Sequence, residues 1–509
     1  MNFTFRILVE IALGAWVLLM FIDAKYRPRF SWILVAAGTF LAVIALADFM
    51  GINPYRSFWS NYERMEGLVT HIHLFLYFII AGSVFATEQM WKWFWRTSLV
   101  ASLFIAFNAY GQLVGWGAVH QSSNRMDATL GNSTYLAVYA LFHAFLAMFL
   151  FFRDREKHPR AALVYPAIAL VNVAVLYYTQ TRGAFLGLVG GIFLALLLAA
   201  LFDREHPERR KYAIGGVVGA GILIAAFFVW KDAAWIQNNR TLGRIADISI
   251  TDQTTQSRFM IWNMSFEGWK EHPILGWGQD NFLYVFAKHY NPKMYNQEPW
   301  FDRSHDVFFD WLIAGGALGL LTYLSLFGAA LYYLWLIPLR GTPDPALRGL
   351  GFKRPRHFTV IESGVLTGML AGYFVHNIFV FDNLTSYLLF FAFLGYLHTL
   401  HAEPLPTATP PHPHKKRGRE EEELGTGDLA VAVVIVVALT AGAVYLLNIR
   451  NIKANIALID AIRPESIFVD GPGGQKEIAL ENVLKQRLFG TGEAREQLAQ
   501  LALQTADPR

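Results

Sequence analysis

The chain has 509 residues, 54% of them hydrophobic and 16% charged, with a formal net charge of +4 and no cysteine. Soluble globular chains carry roughly 25% charged residues. The composition therefore argues against a water-soluble fold, and the missing cysteines exclude disulfides, thiol catalysis and cysteine–metal sites.

Apolar runs of about 20 residues, the length a helix needs to cross a ~30 Å hydrocarbon core, recur along most of the chain. They fall near 5–23, 30–50, 67–87, 94–113, 132–152, 161–179, 183–202, 213–230, 306–337, 358–380, 384–400 and 428–448. Lipid offers no partner to a free backbone N–H or C=O, so each run is expected as a helix. The expected fold class is all-α: a polytopic membrane protein with about 12 transmembrane helices. The 306–337 run is long enough to tilt or to leave the bilayer. The first run lacks a small-residue cleavage site and reads as a span, not a signal peptide.

Orientation follows from Lys and Arg in the short loops. Odd-numbered loops hold 22 such residues; even-numbered ones hold 4, namely Arg56, Arg64, Arg125 and Arg182. Odd loops are therefore expected on the cytoplasmic side and even loops outside. The long segment 231–304 and the tail 449–509 then face outward, and so does the N-terminus, either inserted N-out or preceded by a further span. Residues 401–427 combine proline with a basic and then an acidic block, and read as a cytoplasmic disordered linker. In the tail, Ile456, Leu458, Ile459 and Ile462 form one apolar stripe, and Ile478, Leu480, Val483, Leu484 and Leu488 a second. The tail reads as an external helical unit, with the start of a helical repeat as one interpretation.

Titratable groups gather on the outward side. Arg182, in TQTRGAFLGL (179–188), is a permanent cation at a tight junction between two apolar runs, against the positive-inside bias; a junctional charge of this kind is a functional hypothesis by default. Arg125 lies in the outward loop 114–131, with an interfacial anchor as its plainer reading, which is also the reading for Arg64. His71 and His73 read as packed histidines, and the His376-Asn377 pair as a helix cross-link. In TQSRFMIWNMSFEGWKEHPILGWGQDNF (255–282), Phe259, Trp262, Phe266 and Trp269 recur at helical spacing behind Arg258. Pro273 stops that helix, and Gly276-Trp277-Gly278 turns the chain before Asn281. In RSHDVFFDWLIAGGALGLLTYL (303–324), Ser304 is positioned to cap the next span, with His305 and Asp306 in its first turn. A histidine there can serve as a general base, and Gly315, Gly316 and Gly319 permit close helix packing.

These three motifs, in this order around one long external loop, together with TLGNSTYLAVY (129–139), resemble the O-antigen ligase / Wzy-type polymerase superfamily of bacterial membrane proteins. The resemblance spans roughly residues 100–400 and implies a transmembrane ligase-like domain over 1–400, related to the helical (GT-C-like) lipid-phosphate-dependent glycosyltransferases. It implies transfer of a glycan from an undecaprenyl-diphosphate carrier to a glycan, lipid or protein acceptor, at the outer face of the cytoplasmic membrane, without metal, nucleotide or other cofactor. Arg182 and Arg258 would then bind the diphosphate, joined by Arg125, and His305 would activate the acceptor hydroxyl. Asp306, Asp310, Asn281 and His376 are possible supporting residues. The chain departs from the family in having Asp306 where asparagine often follows the histidine, and Ile313-Ala314 where a glutamate often precedes the paired glycines. Asp310 either takes over that function or only caps the helix.

The competing reading from another class is a transporter or flippase of lipid-linked glycans, which would need polar groups at both leaflets and often shows repeated halves. Neither feature is evident. A purely structural scaffold leaves the arginine–histidine set unexplained. Within the transferase class, a polysaccharide polymerase and a protein O-oligosaccharyltransferase share the motifs. Nothing in the pattern indicates a nucleic-acid partner.

Overall fold

The structure is a computed structural model. It describes residues 1–120, 125–249, 252–295, 300–336, 358–404, 426–462, 475–486 and 490–505. The linker expected at 401–427 falls mostly outside these residues.

The first half of the chain forms α1 (Asn2–Ile22), α2 (Trp32–Met50), the short α3 (Pro54–Trp59), α4 (Leu68–Val84), α5 (Glu88–Leu113) and α6 (Ser133–Asp154). It continues with α7 (Pro159–Ala162), α8 (Val164–Tyr178), α9 (Arg182–Phe202) and α10 (Pro207–Trp230). Local chemistry sets the starts: Ser31, Asn53, Thr87 and Asn132 each accept a first-turn N–H with the side chain, satisfying donors that a helix leaves free. The connecting segment then makes α11 (Ala234–Gln237), α12 (Arg240–Ala246), α13 (Gln253–Glu271) and α14 (Phe282–Lys288). The last bundle helices are α15 (Val307–Leu331), α16 (Val360–Asn377), α17 (Leu384–His401) and α18 (Thr426–Ala443), followed by α19 (Arg450–Ile462), α20 (Gln475–Gln486) and α21 (Thr491–Thr505). Capping boxes start α16 and α17, and a two-residue antiparallel ladder joins Arg29–Phe30 to Glu403–Pro404.

The protein is thus an all-α, multi-pass membrane protein. Among the described residues, 8 helical stretches are long and apolar enough to cross a membrane. The last of them, Gly427–Ile462, runs on beyond 448 without a break in helix, through a π-helical turn at Val444–Ile449.

Two close approaches position the site. Helix α9 lies against α16 so tightly that a Cβ on Gly187 or Gly191 would strike the carbonyl of Gly372 or Gly368. Small residues allow such contact between membrane helices, and here it fixes the axis whose first residue is Arg182. The second approach corrects an expectation. The span beginning at 306 is not one continuous helix: α15 breaks at Gly316, whose φ is +63°. At the break the turn 273–278 inserts. Trp277 and Gly278 donate their N–H groups to the carbonyls of Ile313 and Ala314, at 2.7 and 3.0 Å, while Ala317 and Leu318 donate theirs to Pro273 and Ile274, at 2.8 and 3.3 Å. In an unbroken helix, Ala317 and Leu318 would have bonded Ile313 and Ala314. The turn therefore supplies a partner for each of those four groups, which a buried backbone requires. The glycines that read as a packing stripe, and the Gly-X-Gly that read as a simple turn, are two halves of one joint.

Helix α13 buries Ile261, Met264 and Gly268 against this joint. Of the aromatic stripe, Trp262 stacks on Phe309 at 5.9 Å, whereas Phe259 and Phe266 remain exposed.

Candidate functional site

The loops at one end of the bundle enclose a cavity of about 760 Å³. Arg125, Arg182, Arg258, His305 and His376 all line it, although they come from five separate segments of the chain. Arg64, Arg244, Asp252 and Asp302 line it as well.

Arg182 is the first residue of α9. Gln180, at φ +53°, turns the chain immediately before it, and Thr181 makes no side-chain cap bond. The positive end of the α9 dipole therefore faces the cavity together with the guanidinium, an arrangement that favours an anion. Arg182 Nη1 reaches Asp252 Oδ2 at 3.2 Å, and its Nε is buried without a hydrogen-bond partner among the described residues. Arg125 is held by neutral groups, donating to the Thr179 carbonyl and to Thr181 Oγ1, both at 3.0 Å. Burial, and then Arg244, bring its pKa down to about 10. Arg258, in the second turn of α13, lies 5.9 Å from the Phe379 ring centre; burial and then Arg182 lower its pKa. The same two causes lower that of Arg244. Among the described residues, the carboxylate paired with this set is Asp252, which bonds Arg182 alone of the four. It is kept below the usual range first by the Thr254 hydroxyl, 2.6 Å away, and further by Arg182. The wall is thus cationic and short of counter-charge.

His305 lines the same cavity. It sits at φ +56°, outside the helix, and its ring is held edge-on between Phe301 and Phe381, at 5.2 and 5.3 Å. Arg64 lies 4.2 Å from the centre of Phe381 and makes a two-pronged bond to Asp302, at 2.6 and 2.8 Å. Burial first, then Arg258 and Arg64, bring the His305 pKa down to about 4. The ring is therefore neutral at ordinary pH, the state a general base requires.

Three supporting expectations change. Asp306, not Ser304, caps α15: its Oδ1 accepts from the N–H groups of Phe308 and Phe309, at 2.8 and 3.2 Å. Its carboxylate is spent on the helix end rather than on the cavity. Ser304 instead donates its N–H and hydroxyl to Asp310 Oδ1, at 2.9 and 2.7 Å, so Asp310 anchors the turn that carries His305. Asn281 donates to Ser57 Oγ and to the Trp277 carbonyl, both at 2.9 Å; it belongs to the glycine joint and not to the cavity wall. His376 is in the wall, buried, with neither ring nitrogen bonded among the described residues.

Sequence reasoning missed Arg244, and it read Arg64 as an interfacial anchor. Arg64 was flagged by its place in an arginine-poor outward loop. Arg244 carried no such signal, because long loops lie outside the charge-bias rule. In a second group, each arginine is paired with a carboxylate: Arg303 with Glu66 at 2.9 Å and Arg56 with Asp280 at 3.0 Å. That pairing distinguishes a structural network from the underpaired set facing the cavity.

Residues 167–324 match the family described as O-Antigen ligase (Wzy_C). The matched stretch runs from α8 into α15 and includes Arg182, Arg244, Asp252, Arg258 and His305, but not Arg125 or His376. No curated protein matches the chain.

Proposed function

We propose, from the match of residues 167–324 to the O-antigen ligase family, that the protein is a membrane glycosyltransferase. It would move a glycan from an undecaprenyl-diphosphate carrier to an acceptor hydroxyl on the outer face of the cytoplasmic membrane. The observation that carries this reading is one cavity lined both by His305 and by four arginines, of which only Arg182 is paired with a carboxylate among the described residues. The loop charge bias puts this end of the bundle outside, with α4, α5, α16 and α17 completing twelve crossings.

In the proposed reaction, Arg182, Arg258, Arg125 and Arg244 hold the donor diphosphate, where guanidinium forks suit phosphate oxygens. The acceptor hydroxyl attacks the anomeric carbon from the face opposite the leaving group. The new C–O bond forms as the bond from carbon to the diphosphate oxygen breaks, and configuration inverts. His305 takes the hydroxyl proton. Undecaprenyl diphosphate leaves with the electron pair, and the arginines stabilise the charge it gains.

The test uses purified protein in liposomes with an undecaprenyl-diphosphate-linked glycan and an envelope acceptor fraction, following release of undecaprenyl diphosphate. Wild type should release it. His305→Ala should slow release by at least ~100-fold, and Arg258→Gln by about 100-fold. Equal release by wild type and His305→Ala would remove the histidine as base. Passage of the lipid-linked glycan across the vesicle without release would support a transporter instead.

A further inference from the structure

A second cavity, about 560 Å³, lies in the opposite half of the bundle. It is walled by α6, α8, α9, α10 and α16, with Phe145, Val173, Ile192 and Leu196 among the lining side chains. Along α9 it extends from Leu188 to Ala199, about 16 Å at 1.5 Å per residue. The cavity is therefore elongated along α9. Polar side chains occur only where it reaches the loop end: Arg155, Glu208, Arg209 and Tyr212.

This cleft is left because α10 packs chiefly along α9, where Ala213 meets Ala199 and Ala200 and Gly216 meets Leu196. Only 6% of its apolar stretch is buried. Water has no polar partners deep in such a cleft, and a void would forfeit dispersion contacts along five helices. Hydrocarbon is the filling that the surrounding membrane supplies.

The mouth determines which lipid. Arg155 has no carboxylate in ion-pair reach among the described residues; its guanidinium lies 5.9 and 5.5 Å from the ring centres of Phe151 and Phe152. Arg209 pairs at 2.8 Å with Glu156, whose side chain is 69% exposed. The adjoining turn and helix ends add Lys157, Arg160, Arg210 and Lys211, while Arg153 is paired with Glu88 and Glu362 at 2.8 and 3.1 Å. Basic pockets between membrane helices favour anionic headgroups.

We propose that this cleft is a binding site for an anionic phospholipid, with one acyl chain lying along α9 between α8 and α10 and the phosphate at Arg155 and Arg209. The bound chain then completes the packing of α10, which the protein's own side chains leave open.

The full-length protein, purified in mild detergent, is analysed for retained lipid by mass spectrometry. The expected result is an anionic phospholipid enriched several-fold over its share of the membrane. That enrichment should fall several-fold in the Arg155→Gln/Arg209→Gln double variant and in Ala195→Trp, which blocks the cleft. Enrichment of a zwitterionic lipid or a polyprenyl lipid, or unchanged retention in both variants, overturns the proposal. A second measurement needs no variant. Delipidated wild-type protein is titrated with phosphatidylglycerol or with phosphatidylcholine of the same acyl chains, and only the former should raise its thermal midpoint. Equal rises overturn the assignment. Neither readout depends on glycan transfer, so this proposal and the proposed function can fail separately.

Discussion

His305 combines a left-handed backbone with a ring wedged between two phenylalanines. For a residue other than glycine, that backbone costs on the order of 1–2 kcal/mol, and strain of this kind persists where the surroundings over-determine it. Here the Ser304–Asp310 bonds and the Asp306 cap hold the turn on either side. Burial, Arg258 and Arg64 keep the ring's folded pKa near 4, against ~6.5 for a free histidine. The folded protein therefore resists protonating this ring: the neutral form's contribution to stability is present above pH 6.5 and is lost as pH falls towards 4. The same shift has a kinetic consequence. The acid limb of kcat/KM, which reports the free enzyme, should lie below pH 5.5 in wild type and move upward in Arg258→Gln. A pH-rate series from 4 to 8 measures both. A wild-type limb at 6.5 or higher would mean that His305 is not the base or does not have this environment.

The joint between the turn 273–278 and the broken α15 is the corresponding device among elements. It sits about 14 Å along α15 from the helix start, and it couples the segment bearing Arg258 to the helix that follows His305. Gly276 and Gly316 both have positive φ, and a Cβ on either would collide with backbone of the other strand of the joint. Gly316→Ala should therefore lower the thermal midpoint of the purified protein and reduce transfer more than ~10-fold, combining left-handed strain with steric displacement. Gly328→Ala, in the same helix with nothing within 4 Å of the new methyl, should be neutral or slightly stabilising because alanine favours helix. Equal midpoints for the two variants would show that the break is not structurally required.

Across the whole molecule, the last bundle helix is fastened by polar groups buried among apolar neighbours. Asn448 donates to both carboxylate oxygens of Glu10, at 2.8 and 2.9 Å, and His73 Nε2 lies 3.0 Å from the same group. Beyond this clasp, α19, α20 and α21 share a small core of Leu458, Ala461, Leu480, Val483 and Ala494. Of the expected tail stripes, Ile456, Ile459 and Ile478 are instead exposed. Glu493 Oε1 accepts the Tyr62 N–H at 3.4 Å, two residues before Arg64. Removing the Asn448 amide leaves a buried carboxylate short of a donor, costing about 1–3 kcal/mol. Asn448→Leu should accordingly make the tail several-fold more sensitive to limited proteolysis in detergent. Unchanged cleavage would show that other contacts hold the tail.

The one-dimensional features of this protein were legible in its sequence. Apolar run length predicted helices, because a bilayer demands about 20 residues and internal backbone bonding. The scarcity of arginine in the even loops singled out Arg125 and Arg182, and motif order added Arg258 and His305. Which atoms meet was decided only by the fold. Asp306 turned to its own helix end, Asn281 to Ser57 more than 200 residues away, and Arg244 joined the cavity from a loop where no rule marks a cation. Gly316 was readable as a small residue but not as a break, since the bonds it gives up are replaced by a turn some 40 residues earlier in the chain. Span length depends on local composition and can be read from a string. Side-chain direction and exchanged backbone bonds depend on neighbours distant in sequence, so only the tertiary structure decides them.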